Sequence, residues 1–229
     1  MKVNDKTLHQ MLTIQDELNT RINPAWHSMN YNFHRAILVE SVEALGYTDW
    51  PWWKKQEANT KQLQLEVVDI WHFMLCQYLD TYGTVYDTLD CIKYLAQQTG
   101  EDKVLVDHIV VSIEDLDLAS TLQTIAALAA SGRTSIHLFN RLLALVDMTW
   151  EDLYRQYIGK NALNTFRQQH GLKEGTYTKL WDGVNEDNVF LSNILDKFAG
   201  SGYSDNLAYD IYRELEVEYA AHLGYSNHD

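Results

Sequence analysis

Apolar residues recur at helical spacing along almost the whole chain. The pattern predicts a helix over about Asp5–Asn19, halted ahead of Pro24, and a second over about Ser28–Leu45, halted at Gly46. A third, the most apolar, covers about Thr60–Tyr82 and stops near Gly83. A fourth covers Val85–Gln98, with Gly100 as its stop. The same period returns over Leu116–Ala130 and Ser135–Val146. Thr149 opens another helix, because its spacing to Asp152 suits a capping box in which hydroxyl and carboxylate each satisfy a free backbone N–H. That helix ends near Gly171, and Lys173–Glu186, with Gly175 and Gly183, reads as a loop. Two helices close the chain, Asp187–Phe198 and Ser204–Leu223, joined by "AGSGYS". One segment is ambiguous. Val104–Ile113 ("VLVDHIVVSI") is β-branched and suits a strand or a buried helix; its helical neighbours favour helix.

The expected fold class is therefore all-α, a multi-helix bundle. Only 2 prolines and 11 glycines interrupt 229 residues, which favours long helices. No repeat, Pro-rich linker or low-complexity tract appears, so a single domain over 1–229 is expected, with room for a rigid core and a smaller mobile helical part. An apolar content of 46% supports a real core and argues against global disorder. The opening "MKVNDKTLHQ" lacks the apolar region of a signal peptide, and no apolar run is long enough to span a membrane. Cys76 and Cys91 lie in apolar helical patterns and read as buried thiols. An intracellular, cytoplasmic protein with no membrane partner is expected. The formal charge, 18 − 32 = −14, argues against a sequence-independent nucleic-acid partner. It leaves room for a phosphate-bearing small molecule where divalent cations bridge the two.

The chemical signal sits in two acid pairs, Glu40-x-x-Glu43 on the second helix and Glu66-x-x-Asp69 on the third. Spacing of i, i+3 puts each pair on one helix face, and two antiparallel helices joined by a loop could gather all four carboxylates. A solvated acidic face is the commoner fate of helical acids. Here none of the four has Lys or Arg at i±3 or i±4, and the flanks are mostly apolar. Acids so placed need a partner from elsewhere, because unpaired buried charge is very costly. Hard divalent cations suit clustered oxygens. Asp69-x-x-His72 raises a di-iron site, but that would want a second carboxylate-x-x-His, and Gly46 stands three past Glu43. The oxygen-rich set suits Mg²⁺ better than iron.

A wider set of motifs surrounds these acids: "IQDELN" (Ile14–Asn19), "WPWWKK" (Trp50–Lys55), "EVVDIWHF" (Glu66–Phe73), "KNALNTFRQQHG" (Lys160–Gly171) and then "GTYTKLW". In this order they resemble the dimeric dUTPases, within the all-α nucleoside triphosphate pyrophosphatases. The resemblance implies the bundle of that superfamily and hydrolysis of dUTP, and usually dUDP, to dUMP with Mg²⁺, more than one ion per site. It implies a homodimer. By position, Glu40, Glu43, Glu66 and Asp69 would bind metal, with Glu43 favoured over Glu40 to orient the attacking water. Gln15, Asn19, Trp53, His72 and Phe73 would line the uracil pocket. Lys54, Lys160, Asn164, Arg167, Tyr177 and Lys179 would meet phosphates or sugar.

The residue types support those roles. Lys160, Asn164 and Arg167 repeat at i, i+4, i+7, so one helix face presents a point charge, an amide and a guanidinium fork. Phe73 offers a flat face to a pyrimidine, although an aromatic on an apolar helix is more often core. Gln15 and Asn19 alone would read as a polar surface stripe. Trp50, Trp52 and Trp53, with Lys54 and Lys55, join the acid-bearing helices and so hang beside the acids, as a rim or as a plug on the core. The competing functions are a helical pyrophosphatase with another nucleotide preference and a non-catalytic helical interaction protein with its acids at an interface.

Overall fold

The computed structural model of the chain describes residues 4–98, 102–200 and 203–223. Helix dominates these residues: α1 (Asp5–Ile22), α2 (Phe33–Gly46), α3 (Thr60–Tyr82), α4 (Val85–Gln97), α5 (Leu118–Ala130), α6 (Ile136–Leu145), α7 (Trp150–Gln169), α8 (Asp187–Lys197) and α9 (Leu207–Leu223). The expected stop at Gly100, and Ser201 and Gly202 of the last connection, lie outside the described residues. The caps explain most boundaries. Asn4, Asn32, Asn59, Thr84, Asp117 and Ser135 each accept a first-turn backbone N–H through the side chain. Thr149 and Asp152 form the expected capping box: the Asp152 N–H donates to the Thr149 hydroxyl at 3.1 Å, and the Thr149 N–H to the carboxylate at 3.0 Å.

Two boundaries differ from expectation. α2 starts at Phe33 because Asn32 caps it; Ser28 instead closes a 3₁₀ turn, Trp26–Ser28. α9 starts at Leu207 and not at Ser204. The larger correction is Val104–Ile113, which is an antiparallel hairpin and not a helix. β1 (Lys103–Val106) pairs with β2 (Ile109–Ser112) in the register Lys103–Ser112 to Val106–Ile109. The reason lies in the two turn residues, Asp107 (φ 44°) and His108 (φ 67°). Two left-handed residues in succession make a tight turn whose twist matches a hairpin, and Asp and His tolerate that region better than most. Arg133 secures β1 by donating from Nη1 to the Leu105 carbonyl at 2.8 Å.

By internal packing the chain divides into two units, Met1–Leu153 and Tyr154–Asp229. In the first, α2 packs against α3 and α5, and α1 against α3 and α4. Met11, Leu12, Ile37, Trp71, Leu75 and Phe139 are fully buried there. Trp71 stacks on Phe139 at 4.9 Å and meets Trp150 edge-on at 5.3 Å. In the second unit Phe166 is ringed by His170, Trp181, Tyr212 and Tyr219. Gly159 lets α8 come close to α7: a Cβ there would stand 2.8 Å from Leu195 Cδ2. Gly171 (φ +90°) turns the chain out of α7 into the following loop.

Candidate active site

α2 and α3 bring the acids together. Carboxylate oxygens of Glu40, Glu43 and Glu66 all lie within 4.8 Å of one another. Glu66 is buried, Glu40 half-buried and Glu43 exposed, so the cluster opens toward solvent on the Glu43 side. The Glu40 carboxyl is pushed up to about 8. Burial is the main cause; the charges of Asp69, Glu43 and Glu66 follow, then a hydrogen bond with Glu66. Asp69 thus belongs to the same field, beside the three of the four expected acids whose carboxylates converge. Like charges this close resist joint ionisation. A hard dication removes that conflict, and the donor set, all carboxylate oxygen, suits Mg²⁺.

The helix that supplies Glu66 also supplies His72, nearly two turns further along. His72 Nδ1 donates to Gln15 Oε1 at 2.7 Å. Gln15 passes the order on, its Nε2 donating to Asn19 Oδ1 at 3.0 Å. Asn19 Nδ2 in turn donates to the Cys76 thiol at 3.3 Å. Gln15 and Asn19 sit one turn apart on α1, and His72 and Cys76 one turn apart on α3. This paired spacing links the two helices through a polar chain. It places Gln15, Asn19 and His72 in one network, a grouping that "IQDELN" and "EVVDIWHF" only suggested. The Cys76 thiol, read as a buried thiol, is pushed up to about 12 by burial. Phe73 is half-buried on the same helix.

The Trp-rich loop does not form a core plug. Trp50, Trp52 and Trp53 are 40, 88 and 57% exposed, and their rings meet one another. Trp53 stands edge-on to Trp50 at 4.8 Å and to Trp52 at 5.7 Å. Lys54 and Lys55 are exposed beside them. Gln56 holds the loop's exit, donating to the carbonyls of Gly46 and Thr48 at 2.7 and 2.6 Å.

In the second unit the stripe on α7 is present but not solvated. Lys160 and Arg167 are 4% and 9% exposed. Arg167 donates to both oxygens of Asp187 through one edge of its guanidinium, Nε to Oδ2 at 2.8 Å and Nη2 to Oδ1 at 2.7 Å. Its Nη1 reaches Asn164 at 3.2 Å. Tyr177 donates its hydroxyl to Asp187 Oδ2 at 2.7 Å and accepts from Trp181 Nε1 at 2.9 Å. Burial first, then the Asp187 contact, pushes the Tyr177 phenol well above its usual range. Lys160 Nζ lies 3.5 Å from Asn188 Oδ1. Lys179 has an exposed side chain, and its carbonyl accepts the Asp187 N–H at 2.8 Å. Asp187 was missed from the sequence, where it reads only as a favourable acid in the first turn of a helix. Its partners stand 10 and 20 residues away.

With fold and cluster in hand, the family follows. A family model described as dUTPase matches residues 7–172, which spans all four acids and the Lys160, Asn164 and Arg167 stripe. The chain belongs to the all-α dUTPase family, whose reaction is the hydrolysis of dUTP. No curated protein matches the chain individually. No helix among the described residues is long and apolar enough to cross a membrane.

Proposed function

We propose that this chain is a Mg²⁺-dependent enzyme that hydrolyses dUTP, and dUDP, to dUMP, releasing pyrophosphate or phosphate. The observation that carries the reading is the convergence of Glu40, Glu43 and Glu66 within 4.8 Å, in a chain of the dUTPase family. Glu40, Glu43, Glu66 and Asp69 would hold the metal, with more than one ion per site. Bound there, Mg²⁺ would supply neutralisation of the phosphate chain and a lower pKa for water.

The residues divide the remaining work. Glu43, the exposed member of the cluster, would orient the attacking water and take its proton. Lys54, Lys160, Asn164, Arg167, Tyr177 and Lys179 would bind phosphates or sugar, and Lys160 and Arg167 would offset charge on the leaving group. Phe73 would stack on uracil, and Trp53 would wall the pocket against water. Gln15, Asn19 and His72 would read the polar edge of the base. Their mutual bonds hold each amide in one orientation. Cytosine would oppose donor to donor against such a fixed set, and thymine adds a methyl to accommodate.

The working form would be a homodimer, a reading supported by the family and by exposed Val39 and Val42 on α2. An intracellular place of action fits a nucleotide substrate. The test is turnover of dUTP, dTTP, dCTP and dUMP with Mg²⁺, for the wild type and Glu43→Gln. We expect dUTP alone to be cleaved efficiently, and Glu43→Gln to lose at least about a hundredfold in kcat. Equal cleavage of all triphosphates would defeat the uracil assignment. Full activity of Glu43→Gln would defeat the metal-site assignment.

A further inference from the structure

We propose that Asp187 is a positioning residue for phosphate binding: one buried carboxylate, itself braced by the Tyr177 hydroxyl, fixes Arg167 in place before substrate arrives. The inference rests on the phosphate role given above to Arg167, and it adds a residue outside the stretch that the family model matches.

Asp187 opens α8 and is fully buried. Both of its oxygens are used. Oδ1 accepts from Arg167 Nη2, and Oδ2 accepts from Arg167 Nε and from the Tyr177 hydroxyl. Trp181 Nε1 donates to that same hydroxyl, so the phenol's single proton must point at Asp187. The Asp187 N–H donates to the Lys179 carbonyl, which ties the backbone between Tyr177 and Asp187 to the same point. The Asp187 side chain therefore sets the guanidinium plane and the phenol rotor, while its backbone N–H ties the loop that carries Lys179.

Bidentate Arg–carboxylate bonding is the geometry that fixes a guanidinium in direction as well as position. An arginine held in advance loses less freedom when it meets a phosphate, which favours binding. A purely structural ion pair would stabilise the unit without changing how substrate is held. The two roles differ in what removing the carboxylate does to dUTP in a protein that remains folded.

The test compares Arg167→Ala, Asp187→Asn and the double variant, each checked for folding by circular dichroism. It measures dUTP turnover with Mg²⁺, and affinity for a non-hydrolysable dUTP analogue and for deoxyuridine. Asp187→Asn should lower kcat/KM for dUTP about a hundredfold, the scale of a small misplacement of a binding group. It should weaken the analogue and leave deoxyuridine unchanged. It should add nothing in the Arg167→Ala background, since both changes remove one coupled unit. If Arg167→Ala leaves dUTP turnover unchanged, the phosphate reading fails and the positioning role falls with it. If Arg167→Ala is damaging while folded Asp187→Asn stays within about twofold in kcat and KM, only the positioning role is overturned.

Should Asp187→Asn not fold, the wild type decides. The ¹⁵N signal of the Arg167 Nε–H, assigned with Arg167→Lys, should stay protected from exchange both with and without Mg²⁺ and analogue. Loss of protection on analogue binding would show the guanidinium leaving Asp187 and would overturn the proposal.

Discussion

Glu40 concentrates the electrostatics of the acid cluster. Its carboxyl is raised from the ordinary Glu value to about 8, chiefly by burial and then by Asp69, Glu43 and Glu66. A raised folded value means that the metal-free fold holds a proton the unfolded chain would release. The stability linked to Glu40 is thus full below the unfolded value, near 4.5, and is lost as pH rises toward about 8. In EDTA, the melting temperature should fall between pH 5 and pH 8 in part through this group. Glu40→Gln should flatten that fall and melt higher than the wild type at pH 8. Magnesium reverses the logic, because a dication favours the ionised form. The rise in melting temperature on adding Mg²⁺ should be larger at pH 8 than at pH 6 in the wild type, and small at both in Glu40→Gln. Scanning calorimetry across these conditions checks all three expectations.

At the scale of elements, caps carry the boundaries. Thr149→Ala removes the hydroxyl that accepts the Asp152 N–H at the start of α7. It should cost about 1 kcal/mol, read as a shift in urea midpoint without a change of slope. α3 was legible to the residue, because its apolar period begins at Thr60 and Gly83 stops it; the structure adds Asn59 as its cap. Val104–Ile113 was not, because Asp107-His108 lacks the glycine that marks most two-residue hairpin turns, and helical neighbours outweighed the β-branched run. The same contrast runs through the site. The four acids stood out because no helical neighbour could pair with them. The chain from His72 through Gln15 and Asn19 to Cys76 depends on two helices whose polar residues each look ordinary alone. Asp187 was hidden most completely, because an acid in a first helical turn has a sufficient local explanation, and its real partners are distant in sequence.

At the scale of the molecule, the chain is strongly acidic, −14 over 229 residues, yet it is read here as binding a polyanion. Divalent cations held by the clustered acids would reconcile the two, which is why the proposed reaction is metal-dependent. Sedimentation equilibrium should give twice the mass of the chain, with a single-chain mass contradicting the homodimer. The central claim is that the acids of α2 and α3 serve Mg²⁺-dependent hydrolysis of dUTP. Its most direct test is the release of pyrophosphate and dUMP from dUTP by the wild-type chain, in Mg²⁺ and in EDTA. The account predicts equal release of the two products in Mg²⁺ and none in EDTA. No release in Mg²⁺, or the same rate in EDTA, would contradict it.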